Sequence, residues 1–362
     1  MTKQRLKIAI ITSSLGGGGA QKSSANLSFV LSKLDYDVHI ISILNQIDYE
    51  YQGKLLNLGK LKDQNDSIFG KIKRFRLFYN YLKSENFDYI IDSRARPTFF
   101  KQLIVNTFLY QNHKVIYIIH NYFLKRYLPS STTLAKLLYG KANKLVCVSK
   151  EIENLVVKSH GFKNITTIYN PVVNYSNEIL EVSFNLPQKF ILYFGRINDK
   201  VKNISLLIDG YNQSKLARNN TKLVILGDGP DITYLKQKAV DLQLQHQIVF
   251  LPYCADPSSI IKRALFSVLS SRYEGFPMVL IESLSFGIPV VSVDCKSGPS
   301  EVINHKKNGL LVDNHNPIAL ADAFNEFIEN KKLYNHCKEQ AKQSVEKFSA
   351  DIISKSWLNL LK

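Results

Sequence analysis

The chain has 362 residues, 45% apolar and 21% charged, with 47 Lys and Arg against 30 Asp and Glu for a formal net charge of +17. This composition excludes a disordered tail, a collagen and a coiled coil, and at about 150 residues per domain the length calls for two domains rather than one core. The apolar run from Ile8 to Ile11, preceded by Lys3, Arg5 and Lys7, is too short for a signal peptide or a membrane span, and no later run is long enough either. Cys147, Cys254, Cys295 and Cys337 lie far apart with no CxxC pair. That spacing argues against a zinc site or a disulfide framework and fits a reducing cytoplasm.

The charge is uneven along the chain. Residues 1–180 hold 25 basic and 12 acidic side chains (+13), and residues 181–362 hold 22 and 18 (+4). Lys54 to Lys83 contains eight basic and two acidic residues, and Lys101 to Lys150 contains eight basic and no acidic ones. Such a field attracts a polyanion or an anionic membrane face.

In chain order, LKIAIITSS (Leu6 to Ser14) reads as a buried strand. GGGGA, a helical pattern through Leu34 and a second strand, VHIISIL, follow it. Further strands are expected at Tyr89–Ser93, Lys114–His120 and Lys144–Ser149, with helices between them, which predicts a parallel sheet covered on both faces. After YNPVVN (Tyr169 to Asn174) the pattern loosens through Pro187, which places a linker there and a domain boundary at 178/179. A second α/β series follows. Its strands are expected at Phe190–Arg196, Leu223–Pro230, Ile248–Tyr253, Ala264–Ser271, Pro289–Asp294 and Gly309–Val312, with helices starting near Ile204 and Pro277. The architecture expected is α/β, two Rossmann-like domains in tandem, 1–178 and 179–345, with a terminal helix over about 346–362 packing back on the first.

Four stretches carry candidate chemistry. Gly16 to Gly19 lie between the first strand and first helix, where a bare backbone can approach a phosphate; alone, the loop serves equally as a flexible turn. Gln21 stands where a GxGxxG fingerprint needs its last glycine, and the second strand lacks an acidic residue for a ribose, which weighs against a dehydrogenase. Arg196 and Lys202 follow the first strand of the second series, where two cations can neutralise a diphosphate or remain solvated loop charges. In SRYEGFPMVLIES, Glu274 precedes the turn Gly275-Phe276-Pro277 and Glu282 lies on the helix behind it; these carboxylates can accept hydrogen bonds from sugar and ribose hydroxyls. Asp35-Tyr36-Asp37 is the only Asp-x-Asp string and reads as a solvated turn, so no metal or other cofactor is expected.

These stretches together resemble glycosyltransferase family 4, retaining nucleotide-sugar transferases of the GT-B fold, in which two Rossmann-like domains face each other across a cleft. GGGGA, GRINDKVKN, LGDGP and EGFPMVLIES match in order, and SGPSEVI and NGLLV follow. The resemblance implies that Arg196 and Lys202 grip the donor diphosphate, Glu282 binds the ribose and Glu274 contacts the transferred sugar. It implies backbone contacts from Gly275, Phe276, Pro277 and Met278, a diphosphate contact at Gly17 and Gly18, and a nucleoside beside Gly227, Asp228 and Gly229. His120, in IIHN, matches a family histidine near the anomeric centre, although a lone strand-end histidine is also a common structural residue. The partners implied are a nucleotide-sugar donor, with UDP favoured, and a lipid-linked or oligosaccharide acceptor in cell-surface polysaccharide synthesis.

Ser93, Arg94 and Arg96, at the end of an expected strand, are candidate contacts to an acceptor phosphate. Ser67 to Lys83 places Ile68, Ile72, Phe75, Phe78, Tyr79 and Leu82 on one helical face with Lys71, Lys73, Arg74 and Arg76 largely elsewhere. This segment fits either a packed domain helix or one lying on an anionic membrane, which would place the protein peripherally on the cytoplasmic side. A nucleotide-sugar 2-epimerase is the competing enzyme class. A basic nucleic-acid-binding protein is the competing non-enzyme, and no RNA or DNA signature supports it.

Overall fold

The computed structural model describes residues 5–111, 113–173 and 184–362. The chain divides into two compact units, residues 1–173 with 349–362, and residues 174–348. The expected boundary at 178/179 lies outside the described residues.

The first unit runs β1 (Lys7–Thr12), α1 (Gly19–Lys33), β2 (Asp37–Ser42), β3 (Lys54–Asn57), α2 (Leu58–Gln64) and α3 (Ile68–Glu85). It continues through β4 (Tyr89–Asp92), α4 (Phe99–Ile104), β5 (Lys114–Ile119), α5 (Thr132–Tyr139), β6 (Lys144–Cys147), α6 (Lys150–His160) and β7 (Ile165–Thr167). Its sheet has the order β3-β2-β1-β4-β5-β6-β7 with every pairing parallel. The central strands are unbroken apolar runs because helices cover both faces of such a sheet; Ile8 to Ile11 have no exposed surface. The edge strands β3 and β7 were not expected. They are three or four residues long and only half-buried, so they lack the apolar run that marks a central strand.

The second unit runs β8 (Phe190–Phe194), α7 (Asp199–Lys202), α8 (Ile204–Gln213), β9 (Lys222–Leu226), α9 (Ile232–Asp241), β10 (Ile248–Leu251) and α10 (Ser258–Arg263). Then come β11 (Ser267–Leu269), α11 (Met278–Ser285), β12 (Val290–Val293), α12 (Pro299–Val302), β13 (Gly309–Val312), α13 (Pro317–Glu329) and α14 (Lys331–Ser344). The sheet order is β10-β9-β8-β11-β12-β13, again parallel. Phe190, Leu192 and Phe194 of β8 pack with Val224 and Leu226 of β9 and with Ile260 and Ile261 of α10 in its core. Both units are therefore Rossmann-like.

The last helix, α15 (Ala350–Leu360), belongs to the first unit, where it packs on α1. Ser349 caps it by accepting from Ile352 N, Ile353 and Trp357 are buried, and Lys33 of α1 pairs with Asp351. Helix α3 is split: Phe78 and Leu82 are buried, whereas Ile68, Phe69 and Ile72 are 65%, 78% and 51% exposed. The apolar face expected for α3 is thus packed only in its C-terminal half. Among the described residues no helix is long and apolar enough to cross a membrane.

Candidate active site

In a parallel sheet, ligands bind beyond the carboxyl ends of the strands, where the strand order reverses direction. The second unit reverses between β8 and β11. The loops leaving these two strands carry Arg196 and Lys202 on one side and Ser271 and Glu274 on the other.

They meet at Glu274. Lys202 Nζ donates to Glu274 Oε1 at 2.7 Å and Ser271 Oγ donates to the same oxygen at 2.6 Å. The pair is largely enclosed, with 23% of the lysine and 11% of the glutamate side chain exposed. Arg196 is exposed. Tyr193 Oη donates to the Arg196 carbonyl, and its hydroxyl is pushed well up, by burial first and then by the negative charge of Glu274. Burial, then the same carboxylate, also raises the Cys295 thiol. Lys202 ends α7, a single turn whose Asp199 carboxylate accepts from Ser205 N and Oγ at 2.7 and 2.8 Å.

The turn from Gly275 to Met278 is buried and held from behind by the loop after β12. Glu274 N donates to the Lys296 carbonyl at 2.5 Å, and Ser297 Oγ donates to the Gly275 carbonyl at 2.9 Å. A side chain at Gly298, whose φ is +100°, would come within 2.5 Å of Pro277 Cδ. That explains why SGPSEVI accompanies EGFPM: one loop buttresses the other. Phe276 stacks edge-on against Phe348, and Glu282, 8% exposed, sits in α11 behind the turn.

Gly227 and Gly229 have a structural reason of their own. A Cβ at either would fall about 2 Å from a carbonyl oxygen, 2.0 Å from that of Gly195 and 1.9 Å from that of Ile197. Gly195 N and Ile197 N donate to the Leu226 and Asp228 carbonyls, so the loops after β8 and β9 are zipped backbone to backbone. The Asp228 carboxylate accepts from Tyr253 N at 3.1 Å.

The first unit reverses between β1 and β4. The glycine loop leaves β1 and packs on the segment after β2: Leu15 N donates to the Gln46 carbonyl, and a Cβ at Gly16 would overlap the Asp48 carboxylate. Gly17 has φ +76°, and Gly18 caps α1 without a side-chain bond, which leaves a bare helix N-terminus. Asp35 occupies a left-handed turn and pairs with Arg5 at 2.7 Å; Asp37 pairs with His39 and Lys54.

Ser93 and His120 meet, with Ser93 Oγ 2.7 Å from His120 Nε2 and Ser24 Oγ 2.7 Å from Ser93 Oγ. Burial, aided by the positive charge of Arg96, pushes His120 down to about 3, so its ring is neutral. Arg94 and Arg96 depart from expectation. Arg94 forks onto Asp92, Nε to Oδ1 at 2.9 Å and Nη2 to Oδ2 at 2.7 Å, and also reaches Tyr110. Arg96 donates to the carbonyls of Asp92, Arg94 and Ile118 and lies 5.0 to 5.6 Å from the ring centres of Tyr117, Tyr127 and Tyr139. Although burial opposes it, these arginines hold the Asp92 carboxyl below its ordinary range. Both guanidiniums thus tie the end of β4 to the interior rather than offering themselves to an acceptor phosphate. Ser24 and Ser271 are site residues to which the sequence reading gave no role; Ser24 was legible only as one of several serines in a helix whose buried face is polar.

Two family descriptions match the chain: Glycosyltransferase Family 4 over residues 17–173 and Glycosyl transferases group 1 over 177–344. An N-acetylgalactosamine-N,N'-diacetylbacillosaminyl-diphospho-undecaprenol 4-alpha-N-acetylgalactosaminyltransferase of Campylobacter jejuni is 31% identical across 98% of this chain and 99% of its own. A lipopolysaccharide 1,6-galactosyltransferase of Escherichia coli is 32% identical over 54% of each chain. Among solved structures, Staphylococcus aureus TarM, in a complex that contains UDP, superposes with a TM-score of 0.79 at 17% identity over 99% of this chain and 100% of its own. Anabaena HepE in complex with UDP gives 0.73 at 17% identity over 98% and 99%. The fold is that of the GT-B glycosyltransferases.

Proposed function

We propose a specific role from one premise: the chain belongs to the glycosyltransferases of group 1 and family 4, and is such an enzyme. It transfers a hexose or N-acetylhexosamine from a nucleotide sugar, UDP-linked, to a lipid-linked glycan in cell-surface polysaccharide synthesis, with retention of configuration and without a metal ion. Relatives named for acting on an undecaprenol-linked or lipopolysaccharide glycan support the acceptor class, and fold neighbours that contain UDP support the base. The observation that carries the reading is the Lys202–Glu274 pair at the switch point of the second sheet, beside the buried turn that opens α11.

In this reading Arg196 and Lys202 neutralise the departing diphosphate, the electrostatic task that grows as the glycosidic bond breaks. Each contact of that kind lowers the barrier by about 2.7 to 4 kcal/mol. Lys202 and Ser271 both sit on Glu274 Oε1, so Oε2 is the oxygen left for a sugar hydroxyl. Glu282 takes the ribose. The exposed Ile68, Phe69 and Ile72 among Lys71, Lys73 and Arg76 support peripheral attachment to an anionic membrane.

The test is thermal stability against UDP, GDP, ADP and their sugars without added metal, followed by nucleotide release with and without a lipid-linked acceptor. UDP at 100 times its dissociation constant should add about 2.7 kcal/mol of stability. Selectivity for another base would overturn the UDP assignment. Sugar release that ignores the acceptor, with epimerised product, would overturn transfer.

A further inference from the structure

Two adjacent serines at the end of β11, Ser270 and Ser271, join the loops that carry the cation and the carboxylate of the second unit's site. Ser270 Oγ donates to the Lys202 carbonyl at 3.0 Å, and Ser271 Oγ donates to Glu274 Oε1 at 2.6 Å. Arg272 N adds a bond to the Val201 carbonyl at 2.8 Å. A carbonyl and an ionised carboxylate only accept, so each serine gives its single proton here. Both serines are without exposed surface. Burial alone does not enforce such bonds: Ser267, on the same strand and 2% exposed, has a hydroxyl with no hydrogen-bond partner among the described residues.

The two bonds have different consequences. A glutamate carboxylate stands at the end of three rotatable bonds, and two donors fix Oε1 of Glu274. One of them, the Lys202 ammonium, is a compact charge on a flexible stem whose donors are to be divided between the carboxylate and a phosphate. The other, Ser271, has a short side chain on a buried strand end and holds the carboxylate whatever the lysine does. We propose that Ser271 and Ser270 are positioning residues with separate tasks: Ser271 holds Glu274 with Oε2 toward the transferred sugar while Lys202 answers the diphosphate, and Ser270 holds the end of α7 from which Lys202 reaches. The proposal deepens the transferase reading and rests on it. Consecutive residues thereby set the spacing between the group that serves the leaving diphosphate and the group that serves the sugar, and the loss of either hydroxyl impairs a different half of the donor.

The test uses the full-length protein, UDP, and whichever of UDP-glucose, UDP-galactose and their N-acetylamino counterparts stabilises it most. Calorimetry gives the affinity and the number of UDP sites, and UDP release from the sugar donor is taken per site, so misfolded molecules are not counted. Ser271→Ala should lower the release rate about tenfold or more with UDP affinity changed less than about twofold. Ser271→Thr, which keeps the hydroxyl, should stay within about threefold of wild type, and Ser271→Cys, a weaker donor of similar shape, should fall between. Ser270→Ala should instead weaken UDP itself by about threefold or more. In a Glu274→Gln background Ser271→Ala should cost less than about twofold further, because the serine acts only through that side chain. A Ser271→Ala rate within about threefold of wild type, or the same loss with and without the Glu274 carboxylate, overturns the role of Ser271. Parallel losses of UDP affinity in both serine variants overturn the division of tasks. A wild-type protein that binds no nucleotide overturns the transferase reading and the proposal with it, whereas one that binds UDP and releases it from the donor leaves that reading standing whichever way the serine variants fall.

Discussion

Two sets of charges sit in equivalent places, just past the carboxyl ends of parallel strands at a switch point, and the fold engages them to different degrees. In the second unit Lys202 has one carboxylate to answer, remains 23% exposed, and lies near an exposed Arg196. In the first, Arg96 is 1% exposed at its side chain, with three carbonyls, a nearby carboxylate and three tyrosine rings around it. Topological position therefore does not say whether a cation serves a ligand or the fold. The supply of internal acceptors does: Arg96 spends Nη1 and Nη2 on carbonyls, and its Nε is buried.

This contrast breaks first at Arg96. Arg96→Met should cost about 3 to 5 kcal/mol, because it leaves the buried carbonyls of Asp92, Arg94 and Ile118 without their donor and removes one of the two cations beside the Asp92 carboxylate. The loss is readable in urea unfolding through the only tryptophan, Trp357, which is buried in the first unit. Turnover per folded molecule should stay within threefold; a selective loss of acceptor affinity would return Arg96 to the binding site. Next in size, Lys202→Ala should lower kcat by about 10² to 10³ while costing less stability than Arg96→Met, because Ser271 still donates to Glu274. Glu274→Gln should reduce turnover far more than nucleotide affinity, and unchanged kinetics on the true donor would remove it from the site.

A smaller effect sharpens the comparison through pH. His120 is held near 3 in the folded chain against about 6.5 unfolded, so between these values the unfolded state binds one more proton. Stability should fall as pH drops below about 6.5, by up to about 1.4 kcal/mol per pH unit from this group, and be flat above it. His120→Gln should remove that component of the slope; an identical slope would mean the ring titrates normally. Smallest is the membrane surface. Replacing Ile72 by Ser or Lys73 by Glu should weaken binding to anionic vesicles at low salt by about 1 kcal/mol each, with wild-type failure to co-sediment sinking the attachment.

The central strands were legible because continuous apolar runs between turn signals have few other uses, and the second-unit motifs because GRINDKVKN, LGDGP, EGFPMVLIES and SGPSEVI stand together in the order of the resemblance. The edge strands β3 and β7 were not, since half-buried segments of three or four residues carry no period. Arg94 and Arg96 misled because a sequence shows charges but not the carbonyls that surround them. Ser24 stayed hidden for the reverse reason: a serine inside a helix looks inert until its partner 69 positions away is in view.

The path of the chain also sets an order of assembly during synthesis. The first unit is left at residue 173 and rejoined at 349, so its last helix waits for the 175 residues of the second unit. At a ribosomal pace of about 5 to 20 residues per second that is roughly 9 to 35 s, during which the intervening unit is being made. Until α15 arrives, the surface of α1 on which it packs is open to chaperones, and the first unit can be sealed only after the whole of the second has been made.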